Sequence, residues 1–337
     1  MKKNLRKKAL VSLFLGLTMA LVGCSQGTGS NKTNTSPEEE KTLKIGVVQL
    51  AEHVALDRAR QGFEEELQDQ GIKAEIIYEN AQGELPSVMT ISKNFIKEEV
   101  DLVYAIATPA AQGAQNALAD TDIPLIFNAV TDPVDAGLVE SLEKPGGQVT
   151  GVSDYIGPKD QLKAFVDLFP EIKTLGVLYS TNEANSARQI EDLEAACDEL
   201  GIELMVKGIN NINDASPTMA SIVTQIDGHF AITDNMTSSS AAAIGKILKE
   251  NKIPSYAAEE GPVESGLLLS DGVSYQELGH LAGRQAIDIL VEGKSISDMP
   301  VGFAENTTRV VNEEVAQALG LDLAIFKEAK FVKTRTE

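Results

Sequence analysis

The sequence predicts an α/β protein built as two similar doubly wound parallel-sheet lobes with a ligand cleft between them. Three observations lead there. Short β-rich runs alternate with amphipathic helical stretches, the pattern of parallel sheets covered on both faces. The second half repeats landmarks of the first in the same order. About 290 residues follow the N-terminal segments, enough for two domains with full cores.

Residues 43–50 read as a buried strand. Leu56, Phe63 and Leu67 then share one helical face, and Gly71 stops that helix. A strand at 74–78, a helix around 88–96 and a strand at 101–107 follow. A helix opens near Pro109, and strands lie at 123–128 and 149–153. The cycle restarts with a strand at 175–180, a helix to Leu200, a strand at 203–206, a helix to Val223, a strand at 228–233, a helix to Leu248 and a strand at 253–257. Ile45-Gly46-Val47 matches Leu175-Gly176-Val177, and each following helix ends in Gly-Ile, 25 residues after the first glycine in both halves. Asp101…Ala105-Ile106 matches Asp227…Ala231-Ile232, Ile123-Pro124 matches Ile253-Pro254, and Pro133…Gly137-Leu138 matches Pro262…Gly266-Leu267. Four landmarks in order favour a duplication over the general likeness of α/β units.

The N-terminus predicts location. Lys2, Lys3, Arg6, Lys7 and Lys8 precede an apolar stretch, 9–22, which is short for a membrane span and flanked as in a secretory signal. It ends in Leu21-Val22-Gly23-Cys24, a lipobox, so residues 1–23 read as a lipoprotein signal peptide and Cys24 as the lipidation site. Residues 24–42, rich in Ser, Thr, Asn, Gly and Glu, read as a disordered tether. The expected location is the extracytoplasmic face of the cell membrane, held by a lipid anchor. Removing residues 1–23 takes five basic and no acidic residues, moving the formal charge from −21 to −26. A body this acidic is a poor partner for nucleic acid. With Cys24 acylated, the one remaining cysteine, Cys197, falls in an apolar helical pattern as a core thiol.

In open parallel sheets a ligand sits beyond the carboxyl ends of the strands. Those loops are 49–53, 108–112 and 128–132 in the first half, and 180–186, 234–238 and 258–261 in the second. The ligand-binding candidates are Gln49, Thr108, Pro109, Ala110, Asn128, Thr131, Asp132, Asp154, Glu183, Asn185, Ser186, Asp234 and Asn235. Thr108-Pro109-Ala110 looks like a helix start with Thr108 as N-cap, either offering its N–H groups to a ligand carboxylate or merely capping its own helix. Asp234 follows a buried strand, where it could pair a ligand ammonium or cap the next helix. Asp132 is a turn residue or a ligand contact; Asp154 is hinge, ligand contact or both. Catalytic patterns are weak. His53, His229 and His280 lack metal-ligand spacing, no Gly-x-Ser-x-Gly, P-loop or Gly-x-Gly-x-x-Gly occurs, and Cys197 has no nearby His. No metal, cofactor or enzymatic activity is expected.

With these residues in view, the chain resembles bacterial ABC-transporter substrate-binding lipoproteins of the type I periplasmic-binding-protein fold, most closely the group that binds tryptophan and related aromatic amino acids. The matching segments are 45–53, 107–112, 131–133, 149–154, 179–186 and 233–235. The resemblance implies an amino acid as ligand, an ABC permease and its ATPase as partners, and three crossovers near 153–157, 270–274 and 296–305. The lobes are then 43–153 plus 274–298, and 154–273 plus 299–335. With no Trp and 5% aromatics, a ring would have to be held by Tyr155, Phe127, Tyr256 or apolar walls. A sugar or nucleoside receptor of the same fold, a sensory co-receptor and a lipoprotein enzyme are the competing readings.

Overall fold

A computed structural model of the chain describes residues 42–335. The expected signal peptide, Cys24 and the tether up to residue 41 lie outside the described residues. The first lobe begins with β1 (Leu43–Gln49), α1 (Val54–Asp69), β2 (Ala74–Asn80), α2 (Leu85–Lys97), β3 (Leu102–Ile106), α3 (Thr108–Leu118), β4 (Leu125–Val130) and β5 (Val149–Ser153). The chain then crosses to α4 (Pro158–Leu168), β6 (Thr174–Ser180), α5 (Ala184–Leu200), β7 (Glu203–Ile209), α6 (Ala215–Ile222), β8 (Gly228–Ala231), α7 (Asn235–Ser239), α8 (Ala241–Glu250), β9 (Ser255–Ala257), α9 (Gly261–Glu264) and β10 (Leu269–Gly272). It returns to the first lobe for α10 (Tyr275–Leu290) and β11 (Gly302–Phe303), and ends in the second with β12 (Thr308–Asn312), α11 (Glu313–Leu319) and β13 (Lys330–Val332).

The strand orders carry the duplication. The first sheet runs β11-β5-β4-β3-β1-β2 and the second β13-β12-β10-β9-β8-β6-β7, so β6 to β10 repeat the arrangement of β1 to β5. All pairs are parallel except β10 with β12. The matched glycines have a shared cause. A Cβ on Gly46 would lie 2.6 Å from the Phe95 ring, and one on Gly176 2.7 Å from Ile226, so each strand leaves room for a side chain packed across it.

Each lobe has its own core. In the first, Phe63 of α1 stacks on Tyr104 of β3 with ring centroids 4.0 Å apart. In the second, Phe230 of β8 stacks on Tyr256 of β9 at 5.2 Å. The returning helix α10 is tied to α1 by glycine: a Cβ on Gly62 would strike the Gln276 carbonyl, and one on Gly279 the Ala59 carbonyl.

Several boundaries differ from the expected ones. β3 stops at Ile106, and β8 ends at Ala231, short of residue 233. The expected helix to Leu248 is broken at Ser240, because the Ser239 and Ser240 hydroxyls donate to the carbonyls of Asn235 and Met236 and compete with the helix ladder. The third crossing comes after Phe303, past the boundary drawn at 298, because β11 pairs with β5. Among the described residues no helix is long and apolar enough to cross a membrane.

Candidate functional site

The carboxyl ends of both sheets face one cleft, and the lobes meet across it. Arg58 of α1 reaches Glu260 at 2.7 Å and Glu264 at 2.5 Å on the second lobe. His53 Nε2 donates to Asn235 Oδ1 at 3.3 Å, and Gly261 packs so closely that a Cβ there would lie 3.1 Å from the Ala55 nitrogen. Two spaces remain. One is an open cavity of about 620 Å³, walled by Leu50, Leu85, Pro109, Ile212 and Met236 with polar groups including Glu52, Asn182, Glu183 and Asn235. The other is an enclosed compartment beside the first crossing, where the centre of a water-sized group has about 10 Å³, room for one such group. Asn235 lines both.

The enclosed compartment is rich in acceptors. Asp154 is buried; one oxygen accepts the Tyr275 hydroxyl at 2.5 Å and the other has no hydrogen bond. Burial raises its pKa above the usual carboxylate range. The Asn185 amide donates to the Thr233 carbonyl at 3.0 Å and leaves its own oxygen unpaired. Burial lowers the His53 pKa to about 4, so its ring is neutral at pH 7. With Nε2–H given to Asn235, Nδ1 is a bare acceptor without a partner. Glu259 accepts from Gly261 N at 2.5 Å and Ser238 Oγ at 3.3 Å, and burial pushes its carboxyl up to about 8. Two donors accompany them: the Thr131 hydroxyl, close enough to Asp154 to oppose the rise of its pKa, and the Glu259 carboxyl while it holds its proton. Unmatched buried acceptors are costly in an empty cavity, and a group carrying several N–H donors satisfies them.

The structure sorts the expected site residues into groups. Thr131, Asp154, Asn185, Asp234 and Asn235 line the enclosed compartment, while Pro109, Glu183 and Asn235 line the open cavity. Thr108 is not the N-cap of α3. Ala107 holds that position at φ 89°, and the buried Thr108 hydroxyl caps nothing and has no partner. Ala110 is buried in the first turn of the same helix. Asp234 is committed within its lobe: its oxygens accept Ser180 N at 2.6 Å, Ser186 Oγ at 2.7 Å and Thr237 N at 2.8 Å, capping α7. Glu183 accepts from Asn235 Nδ2 at 2.5 Å and from the nitrogens of Asn235 and Met236, so it faces the start of α7 rather than capping α5. Burial, then the charge of Asp234, pushes its carboxyl up to about 8.

Six candidates line neither space, Thr108 and Ala110 among them. Gln49 donates to the Ala51 carbonyl and Asp57, shaping the loop after β1. Asn128 bonds to Tyr104 and Ala129 inside the lobe. Asp132 accepts from Val134 N and Asp135 N as a turn residue, with Arg188 at 4.0 Å. Ser186 serves Asp234. Phe127 and Tyr256 are core residues, and Tyr155 is surface-exposed with its hydroxyl on Asp192, so none of the three lines either space. Glu259 sits in a strand-end loop that the sequence pointed to without singling it out, and His53 ends the strand-end loop 49–53. Tyr275, at the start of α10, carried no such signal. Among the described residues no group of three or more His, Cys, Asp or Glu is placed to hold a metal ion.

A family model described as ABC transporter substrate binding protein matches residues 44–333. The chain belongs to that family. It is a family of solute-binding proteins rather than of enzymes. Over 340 residues the chain is 41% identical to the "Tyrosine-binding protein" of Clostridioides difficile (strain R20291), covering 98% of this chain and 97% of that one. It is similar to a solved ABC domain in complex with L-Trp from Streptococcus pneumonia, with a TM-score of 0.81, 33% identity, and coverage of 87% of this chain and all of that one. A second similar structure is the ligand-free, open form of a substrate binding protein with adhesive properties from Clostridium difficile, 41% identical over the same shares, with a TM-score of 0.67.

Proposed function

We propose that this protein is the lipid-anchored, extracytoplasmic receptor of an ABC importer and captures an aromatic L-amino acid between its lobes. The observation that carries the reading is the enclosed compartment. Its unpaired atoms on Asp154, Asn185 and His53 are acceptors, and it has room for one ammonium-sized group and shares Asn235 with the much larger cavity. The ligand ammonium sits there and pairs with Asp154. Its carboxylate turns to the start of α3, where the unpaired Thr108 hydroxyl and the first-turn N–H groups lie. The ring extends between Leu50, Leu85 and Pro109 on one lobe and Met236 on the other. Apolar walls suffice, since burying such a side chain contributes roughly 1.5–3 kcal/mol without aromatic stacking.

Relatives named for tyrosine binding and solved with L-Trp support the class of ligand. Ligand bridging both lobes favours the closed state, and the closed receptor delivers its cargo to a permease and ATPase. The lipobox at Cys24 supplies the anchor. A thermal-shift panel tests the reading. One or a few aromatic L-amino acids should stabilise the fold by about 3–4 kcal/mol at a hundred- to thousand-fold excess over Kd. Stabilisation by sugars or nucleosides alone overturns it.

A further inference from the structure

Two neighbouring strands end at the cleft in a backbone conformation that L residues avoid. Ala107, after β3, has φ 89°, and Ala129, near the end of β4, has φ 55°. Neither is glycine, so something holds them. At Ala129 the pairing of β4 with β5 slips, since Asn128 faces Val152 and Val130 already faces Ser153. Asn128 is fully buried and touches both kinks: its side-chain oxygen accepts Ala129 N at 2.7 Å and its main-chain carbonyl accepts Ala107 N at 2.9 Å. The brace continues inward. Asn128 Nδ2 donates to the Tyr104 hydroxyl at 2.6 Å, which donates to the Ala59 carbonyl of α1 at 3.1 Å. Beyond the first kink Thr108 opens α3 and Pro109 lines the open cavity, and beyond the second Thr131 lines the enclosed compartment, as Ala129 itself does.

We infer that Asn128 is a positioning residue that locks the ends of β3 and β4 so that Thr108 and Thr131 are held ready for the ligand. This rests on the amino-acid reading above, but part of its test does not. In the ligand-free protein, Asn128→Ala should speed amide hydrogen exchange at Ala107 and Ala129 at least tenfold beyond any change at α10. It should also weaken binding of L-tyrosine and L-tryptophan at least tenfold by calorimetric titration. Adding Ala129→Gly, which adopts positive φ freely, should recover at least threefold of that loss, a rescue that a purely structural role would not give. Should Asn128→Ala fail to fold, Tyr104→Phe keeps the stacked ring and removes the hydroxyl that steadies Asn128; it should fold and bind at least threefold more weakly. Unchanged exchange at both alanines overturns the inference, as does an affinity loss that Ala129→Gly does not recover, or wild-type affinity in Tyr104→Phe. Wild-type protein that binds neither amino acid overturns the functional reading instead, while the exchange data still decide the role of Asn128.

Discussion

Closure of the cleft should depend on Arg58. Its side chain is 24% exposed and lies between Glu260 and Glu264, which are 10% and 9% exposed. All three come together only when the lobes meet. Truncating one partner of a buried charge pair typically costs 2–5 kcal/mol. Partial exposure of Arg58 argues for the lower end, about 2 kcal/mol, because solvent screens the pair. Arg58→Met keeps the apolar stem and removes the charge, leaving two carboxylates facing each other. The closed state then loses roughly 30-fold in population, at 1.4 kcal/mol per decade. If the free protein is mostly open, that loss passes undiminished into the apparent Kd. Calorimetric titration with L-tyrosine and L-tryptophan should therefore show Kd raised about 30-fold, mostly through faster release. Small-angle scattering of the liganded variant at subsaturating ligand should show a larger radius of gyration than wild type. Kd within threefold of wild type and an unchanged radius would refute the latch. Gly261→Ala gives a second check that leaves Arg58 in place, because its Cβ would sit 3.1 Å from Ala55 N across the cleft as well as 3.0 Å from the Glu259 carboxyl of its own lobe.

Other expectations follow from single groups. Glu183 and Glu259 are pushed up to about 8, chiefly by burial, from an ordinary 4.5, so the folded protein holds protons there that the unfolded chain has lost. Their contribution to stability falls as pH rises from 4.5 to 8. His53 and His229, lowered by burial from 6.5 to about 4, act oppositely between pH 4 and 6.5. Above pH 6.5 only the carboxyls act, so Tm of the ligand-free protein should fall from pH 6.5 to 8, and Glu259→Gln should flatten the fall; a rising Tm contradicts this. Asp234→Ala removes the cap of α7, worth about 0.5–2 kcal/mol, and strands the Ser180 and Ser186 donors. Melting should suffer most, with a smaller affinity loss than in Asp154→Asn; the reverse ranking returns the ammonium to Asp234. Cys24→Ala should release the protein from the membrane fraction or leave it unprocessed, and a variant still cleaved before residue 24 and still membrane-bound contradicts the lipid anchor.

The duplication was legible because its landmarks have local causes. Gly71 and Gly201 both end helices at φ 70°, a conformation that glycine favours, and Gly46 and Gly176 both make room for a crossing side chain. Each strand-end loop that the sequence pointed to contributes a residue to one of the two spaces. What the sequence could not reveal was which way side chains turn within these loops. Thr108-Pro109 has the composition of a cap, but the tertiary bond from Ala107 N to the Asn128 carbonyl sets Ala107 at the helix start instead. For Asp234 the sequence left ligand and cap both open, because Ser180 and Ser186, which occupy it, lie about fifty residues away in sequence. Asn128 and Gln49 look like cleft residues by position yet spend their amides inside the first lobe. The two-residue β11 was invisible to periodicity, being too short to alternate.

The seat of the ammonium group is the claim on which the account turns. Calorimetric titration of wild type and Asp154→Asn with L-tyrosine, L-tryptophan and their N-acetyl forms tests it most directly. At least one free amino acid should bind wild type, its N-acetyl form should not, and Asp154→Asn should bind at least 30-fold more weakly, the loss of about 2 kcal/mol expected when a buried partner is neutralised. N-acetyl forms that bind as well as the free amino acids, or Asp154→Asn within threefold of wild type, would contradict it.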